Sequence, residues 1–369
     1  MDHLSEVIKI LDAALMHNTD KATAYGNLLA SKLDDDRQPR QARAVRAVLA
    51  KLPTVDISPA YADINLPRDT DSSLATVDVK TPEQLPEVNL HLQPYVRDRV
   101  AEFLESVAMH DEWTSLGVAA ANRLLIYGPP GTGKTTIAAH IAATLKLPLI
   151  VSRSDSLVSS LLGQTSRNLR SIFDFAQSFP SVLFLDEFDA LAKDRNDSRE
   201  IGELQRVVIA LLQTIDALDP STVVVAATNH SQLLDPAVWR RFDFTLKVEN
   251  PGPEDRAEIW RLYLADLTPD DHDLARLVDL SDGMSGAAIK LAANDIRRIA
   301  VKRSSASLTL PAMLRRLARV LWYDSQERFI NDHAEMSALR EWAPDVFTVR
   351  ALSELFSVST RQVNNAIGG

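Results

Sequence analysis

The chain has 369 residues, of which 46% are hydrophobic and 24% charged, and its net charge is −10. That length suffices for two domains, or for one large domain with appendages, while the acidic balance argues against broad, non-specific attraction to nucleic acid or anionic membrane. There is no cysteine, so disulfides, zinc–thiolate sites and thiol nucleophiles are excluded, which fits a reducing compartment.

Residues 1–52 read as an N-terminal helical domain. Leu4, Val7, Ile8, Leu11 and Leu15 share a helical face, and "RQARAVRAVLAKL" repeats the spacing with arginines on its outer side. The opening "MDHLSEVIKI" has Asp2 and Glu6 where a signal peptide carries positive charge. No apolar run approaches the roughly 18 residues of a membrane span, so a soluble, cytoplasmic protein without membrane contact is expected. Residues 53–86 contain Pro53, Pro59, Pro67, Pro82 and Pro86 among Asp and Ser, and read as a linker. In residues 87–250 the runs "RLLIYG", "LPLIVS", "VLFLDE", "VVVAATN" and "FTLKV" alternate with amphipathic stretches such as "GKTTIAAHIAATLKL". Unbroken β-rich runs between helices predict a parallel sheet covered on both faces, an α/β subdomain. Residues 251–308 read as a small helical subdomain and 309–369 as a C-terminal helical region.

"YGPPGTGKTT" places Gly128, Pro129, Pro130, Gly131, Thr132, Gly133, Lys134, Thr135 and Thr136 in a phosphate-loop pattern, after a predicted strand and at the start of a predicted helix. Such a loop wraps an anion so closely that backbone N–H groups point inward, which glycine permits. Lys134 adds charge at the outer phosphates, Thr135 offers its hydroxyl to Mg²⁺, and the helix presents its positive end. In "SVLFLDEFDAL", Asp186 and Glu187 follow a buried strand at the edge where open α/β sheets bind ligands. Asp186 suits the hard cation bridging the phosphates, and Glu187 is placed to polarise an attacking water; Asp189 reads as a helix cap. "VVVAATN" ends in Thr228 and Asn229. Alone such an Asn is a turn residue; beside the Asp-Glu strand it becomes a candidate to hold the water or a phosphate oxygen.

The order of phosphate loop, Asp-Glu strand, "ATN" strand and "LDPAVWRRFD" resembles the AAA+ ATPases, specifically the AAA clade with its second homology region, over about residues 88–300. The resemblance implies a P-loop NTPase AAA+ core with a five-stranded parallel sheet and helices on both faces, then a helical lid. It also implies ATP and Mg²⁺ as cofactors and a homo-oligomeric ring, usually a hexamer. In that family the arginines before Phe-Asp act in trans on the neighbour's ATP. By resemblance Arg241, directly before Phe242-Asp243, is the first candidate and Arg240 the second; the family usually separates its two arginines by Pro-Gly, whereas here they adjoin. The alternative is a surface pair bonded to acids of its own subunit, and Trp239 reads as a packing residue. "DGMSGAAIK" resembles the segment opening the lid helix, with Gly286 close to the nucleotide. The place of a lid sensor arginine falls near Ala287, so none is expected. Leu161, Leu162 and Gly163 stand where ring translocases carry a pore loop, with plain packing of the leucines as the alternative. The core also resembles bacterial AAA ATPases often paired with a separate subtilisin-like peptidase; His-Glu-x-x-His is absent here, so proteolysis would need another chain. No Asn-Lys-x-Asp guanine reader is present.

The tail "FTVRALSELFSVSTRQVNNAI" has the rhythm of a helix-turn-helix, with Val349, Leu352 and Leu355 on one helix, a turn at Val358-Ser359 and Thr360 capping the next. Arg361, Gln362, Asn364 and Asn365 would face outward as groove-reading donors. The expected function is an ATP-driven ring that remodels, unfolds or disassembles a protein substrate, with a separate peptidase as a candidate partner. The alternatives are a nucleic-acid-associated regulatory ATPase reading through its tail, and a nucleotide-gated scaffold that hydrolyses little.

Overall fold

The alternation of β-rich runs with amphipathic helices yields a six-stranded sheet in the computed structural model. It describes residues 3–15, 19–49, 66–67, 75–85, 92–118, 120–152, 162–189, 201–265, 267, 269–302, 308–323 and 330–368. Two units divide the chain: residues 1–90, 94–128 and 134–248 in one, and residues 91–93, 129–133 and 249–369 in the other.

The first unit begins with a three-helix bundle: α1 (Leu4–Leu15), α2 (Thr19–Asp35) and α3 (Pro39–Leu49). Leu29, Leu33 and Ala42 form its own small core, with Val7, Ile10 and Val45 packed against it. There follow β1 (Val77–Lys80), α4 (Pro94–Ala108), α5 (His110–Ser115), β2 (Arg123–Tyr127), α6 (Lys134–Leu145) and β3 (Leu149–Ser152). Then come α7 (Leu162–Gln177), β4 (Val182–Leu185), α8 (Ile201–Asp216), β5 (Val223–Thr228), the short α9 (Pro236–Trp239) and β6 (Phe244–Lys247).

The strand order is β1-β3-β4-β5-β2-β6. The five strands from β3 to β6 are parallel, as expected, and β1 adds an antiparallel edge against β3, Val77 opposite Ser152 and Lys80 opposite Leu149. This strand lies within the stretch read as a linker. It forms because "VDVK" alternates: Val77 is buried and Val79 half-buried against the core, while Asp78 and Lys80 face water and charge the sheet edge against further pairing.

β4 and β5 are buried at every position. On one face, Leu125, Ile150, Leu183, Leu185, Val224 and Ala226 pack with Leu169, Ile172, Phe173 and Ala176 of α7 and Leu211 and Ile215 of α8. The α7 set recurs at helical spacing and so forms a single stripe. Alternate strand residues, among them Leu124, Ile126, Phe184 and Val225, are also fully buried; with a strand period of two, the opposite face is therefore covered as well. The N-terminal bundle is fastened to this core by polar bonds. Lys9 Nζ donates to Ser221 Oγ at 2.7 Å ahead of β5, and Lys146 Nζ reaches Asp35 at 2.9 Å ahead of β3.

The second unit contains α10 (Pro253–Leu264), α11 (Asp271–Leu280), α12 (Gly286–Lys302), α13 (Leu310–Leu321), α14 (Asp332–Trp342), α15 (Val349–Phe356) and α16 (Thr360–Ile367). Trp260, Ile289, Ile296, Leu314, Leu339, Phe347, Leu352 and Val363 belong to one core, so the residues read as lid and as tail pack together. Arg315 binds Glu335 through two bonds of 2.7 and 2.6 Å and lies over the Phe356 ring, which ties α13 to α14 and α15. Between α15 and α16 the chain turns at Ser357 in a left-handed conformation (φ 56°). The cap of α16 is Ser359 and not Thr360: the Gln362 N–H donates to Ser359 Oγ, and Gln362 Oε1 accepts the Ser359 N–H, a reciprocal pair that only the Ser359–Gln362 spacing allows. Arg361, Gln362, Asn364 and Asn365 are exposed.

Candidate functional site

Sheet order decides what meets at the carboxyl edge. β5 lies between β2 and β4, with Tyr127 opposite Thr228 and Leu185 opposite Ala226. The residues that follow these strands, Gly128, Asn229 and Asp186, therefore emerge side by side. The Val248 N–H donates to Tyr127 O at 2.8 Å, carrying the β2–β6 pairing past the strand end. That leaves Gly128 at φ 150°, where a Cβ would sit 1.9 Å from Val248 O. No other residue fits there.

Lys134 opens α6 with its side chain buried, and its ammonium donates to Gly128 O at 2.8 Å. Burial lowers its pKa, and the nearby charges of Asp186 and Asp189 oppose that shift. Thr135 Oγ1 donates to Asp186 Oδ2 at 3.0 Å. A hydroxyl and a carboxylate held this close are the hard-oxygen pair that Mg²⁺ takes, so these residues fit the cation. Thr136 is half-buried in the first turn of the same helix. Thr132 Oγ1 bonds Pro129 O at 2.9 Å, and Pro129 and Pro130 are exposed.

Within the second unit, Gly131 O accepts the Ala287 N–H at 3.0 Å. Gly131 has φ 76°, and a Cβ on it would lie 2.6 Å from Ser285 Oγ. The segment Ser285-Gly286-Ala287 thus seats the middle of the phosphate loop through backbone and small side chains.

Glu187 is exposed and left-handed, with φ 48°. For a residue with a Cβ that conformation costs roughly 1–2 kcal/mol, and it persists where neighbours over-determine it. They do so here. The Glu187 N–H donates to Asp186 Oδ1 at 2.9 Å, and the Phe188 N–H donates to Ala227 O at 2.8 Å. The Phe188 ring is fully buried, edge-on to Phe242 at 5.7 Å. Asp189, expected as a helix cap, accepts the Thr228 hydroxyl at 2.6 Å. Asn229 is half-buried at the tip of β5.

The two arginines differ sharply. Arg241 Nε and Nη2 each bind one oxygen of Asp216, both at 3.1 Å, and Nη1 donates to Ala237 O at 3.0 Å. The hydrogen-bonded Asp216 raises its pKa further. Arg240 is exposed and, among the described residues, its guanidinium has no partner. The arginine favoured from sequence is thus the one engaged within its own chain, because Asp216 ends α8 beside α9; the spacing of the two segments in sequence gave no sign of that. Trp239 packs edge-on against Tyr127 at 5.1 Å. Leu161 lies outside the described residues, as does the side chain of Leu162, which with Gly163 begins α7. Asp216 and Thr228 are contacts of the site that sequence reasoning did not assign to it. Among the described residues, no helix is long and apolar enough to cross a membrane.

The profile of the family described as "ATPase family associated with various cellular activities (AAA)" matches residues 124–250. A Sinorhizobium fredii protein named "Uncharacterized AAA family ATPase y4kL" is 49% identical over 141 residues, which cover 38% of this chain and 43% of that protein. The proteasome-activating nucleotidase of Methanopyrus kandleri is 32% identical over 283 residues, covering 73% of this chain and 64% of the relative. That of Aeropyrum pernix is 34% identical over 238 residues, covering 61% and 58%. The chain thus spans less than two thirds of the length of each. The matched region holds the phosphate loop, the Asp186-Glu187 strand tip, Asn229 and both arginines, and residues 124–250 are an AAA-family ATPase domain.

Proposed function

We propose that this chain hydrolyses ATP as a homo-oligomeric ring, six subunits by family resemblance, and uses the cycle to remodel a protein substrate. The observation that carries the reading is the convergence of Gly128, Lys134, Thr135, Asp186, Glu187 and Asn229 at one carboxyl edge inside an AAA-family domain. Bound Mg²⁺ would neutralise charge on the triphosphate. The chain's own residues do the rest. The loop from Gly128 to Gly133 wraps the phosphates, Lys134 adds a fixed cation, and Thr135 and Asp186 hold the metal. Glu187 takes a proton from water, and Asn229 orients that water. Arg240 is the arginine available to a neighbouring subunit's phosphate, with Arg241 and its Asp216 partner bracing the turn. The relatives named as nucleotidases that activate a proteasome support a protein substrate. Leu161, Leu162 and Gly163 are the residues proposed to grip it, and any cutting falls to a separate peptidase.

The test is phosphate release by the full chain with Mg²⁺ and ATP. Glu187→Gln should keep ATP binding and lose turnover by roughly 10²–10⁴-fold; turnover equal to wild type would overturn the reading. The same variant held in ATP and used as bait, with bound protein and nucleic acid read out together, addresses the substrate. A nucleic-acid reading has one observation in its favour, the exposed Arg361, Gln362, Asn364 and Asn365 on α16 after a tight turn. Salt-dependent DNA binding that is lost in Arg361→Ala and Asn365→Ala, with the urea midpoint unchanged, would establish it.

A further inference from the structure

The role proposed for Glu187 leaves open what holds that residue in its left-handed conformation. Two bonds join the turn that carries it to the tip of β5, and a third braces the tip itself. The Phe188 N–H donates to Ala227 O at 2.8 Å, the Thr228 hydroxyl donates to Asp189 Oδ1 at 2.6 Å, and the same hydroxyl accepts the His230 N–H at 2.9 Å. Thr228 is 1% exposed, so its hydroxyl has no water to turn to. A buried hydroxyl that both donates and accepts is fully used, and losing it leaves the Asp189 carboxylate and the His230 N–H short of a partner at once. Glu187 and Asn229 each adjoin a member of this bonded set.

We infer that Thr228 and Asp189 are a pair of positioning residues: their bond clamps the Glu187 turn to the tip of β5 and so sets Glu187 and Asn229 in register with each other. This rests on the proposed role of Glu187. The geometry sets it apart from ordinary strand-end packing. Thr228 meets the turn through its hydroxyl, and an isosteric side chain without that oxygen would fill the same space and break the clamp.

The test uses the full chain and three single variants. Thr228→Val keeps the volume and removes the oxygen; Thr228→Ser keeps the oxygen; Asp189→Asn keeps the shape and removes the charge. With Mg²⁺ and ATP, Thr228→Val and Asp189→Asn should lower kcat by about tenfold or more, a loss of the size made by misplaced catalytic groups, with KM within about twofold. Thr228→Ser should restore most of kcat. A second readout needs no nucleotide: the amides of Glu187 and Phe188 should exchange with deuterium at least tenfold faster in Thr228→Val than in wild type or Thr228→Ser. Adding Thr228→Val to Glu187→Gln should bring no further loss of turnover, since the clamp acts through Glu187. Wild-type kcat and exchange in Thr228→Val, with Glu187→Gln inactive, would overturn the clamp alone. Full turnover in Glu187→Gln would instead remove the reading beneath it. Equal loss in Thr228→Ser and Thr228→Val would also overturn the clamp, because the hydroxyl would then not be the group that matters.

Discussion

Replacing Arg240 and Arg241 one at a time by Ala should separate catalysis from stability. Arg241 makes two bonds to Asp216 and one to Ala237 O, with its side chain 29% exposed and that of Asp216 50% exposed. An ion pair this wet contributes about 0.2–1 kcal/mol, and the bond to the carbonyl roughly another 0.5–1.5 kcal/mol. Arg241→Ala should therefore destabilise the chain by about 1–2 kcal/mol, seen as a lower urea midpoint with an unchanged slope. Arg240 makes no such contacts among the described residues, so Arg240→Ala should shift stability by less than about 0.5 kcal/mol. Turnover should order the other way. A trans arginine is worth roughly 10³–10⁵ in rate, and Arg240→Ala should lose most of that while Arg241→Ala loses far less. Mixing Arg240→Ala subunits with Glu187→Gln subunits should return some activity, because an intact pocket then adjoins an intact arginine in part of the rings. If Arg240→Ala turns over at the wild-type rate while Arg241→Ala is inactive and unshifted in stability, the assignment from the Asp216 contact is wrong.

Gly128→Ala should destabilise by about 2–6 kcal/mol, combining roughly 1–3 for its sparsely populated backbone conformation with 1–3 for the overlap with Val248 O; an unchanged denaturation midpoint would contradict the loop geometry. The attachment of the N-terminal bundle should be acid-labile. Burial alone raises the pKa of Asp219, but bonds from Ser221 and the charges of Lys9 and His110 outweigh it and leave it below the ordinary 3.8. A lowered folded-state value contributes stability that is present above 3.8 and is lost as pH falls through the folded-state pKa. The protection of amides in α1–α3, their exchange rate relative to the unfolded chain at the same pH, should accordingly fall as the pH drops through that value, and Asp219→Asn should remove that part of the response; an identical protection profile in the variant would refute it.

Much of this was legible in the chain, for identifiable reasons. "VLFL" and "VVVAAT" read as strands buried on both faces because they are β-rich, unbroken and set between helical stretches, and they are. The phosphate loop stands after β2 and at the start of α6, where the motif requires it. β1 was hidden because four alternating residues sit among prolines, and the value of Val77 and Val79 lies in β3 and the core, far along the chain. The cap of α16 was readable but misread: Thr360 and Ser359 both offer hydroxyls, and the Gln three places after Ser359 distinguishes them. The partner of Arg241 was not readable at all, since Asp216 reaches it only once β5 and α9 have folded between them.

That last case generalises to the site. The Asp186-Glu187 turn and the phosphate loop do not touch through their own strands, since β4 and β2 are separated by β5. Each instead bonds to the tip of β5: the Gly128 N–H to Thr228 O at 3.3 Å, and the Phe188 N–H to Ala227 O at 2.8 Å. A residue at that tip is one strand spacing, about 5 Å, from either side, which is why an amide at position 229 serves both the water and the phosphates on the proposed roles. From the same tip the chain runs through a 3₁₀ turn (Ser231–Leu233) and α9 directly to Arg240, anchored on the way by buried Leu234 and Val238. Packed anchors along a short segment transmit displacement, because interiors at native density do not yield. On the proposed roles, rigidity there would link a change at Asn229 to Arg240, and Val238→Ala, which loosens it, should lower kcat for ATP hydrolysis more than it raises the Kd for ATP; an unchanged kcat with weakened ATP binding would refute the link.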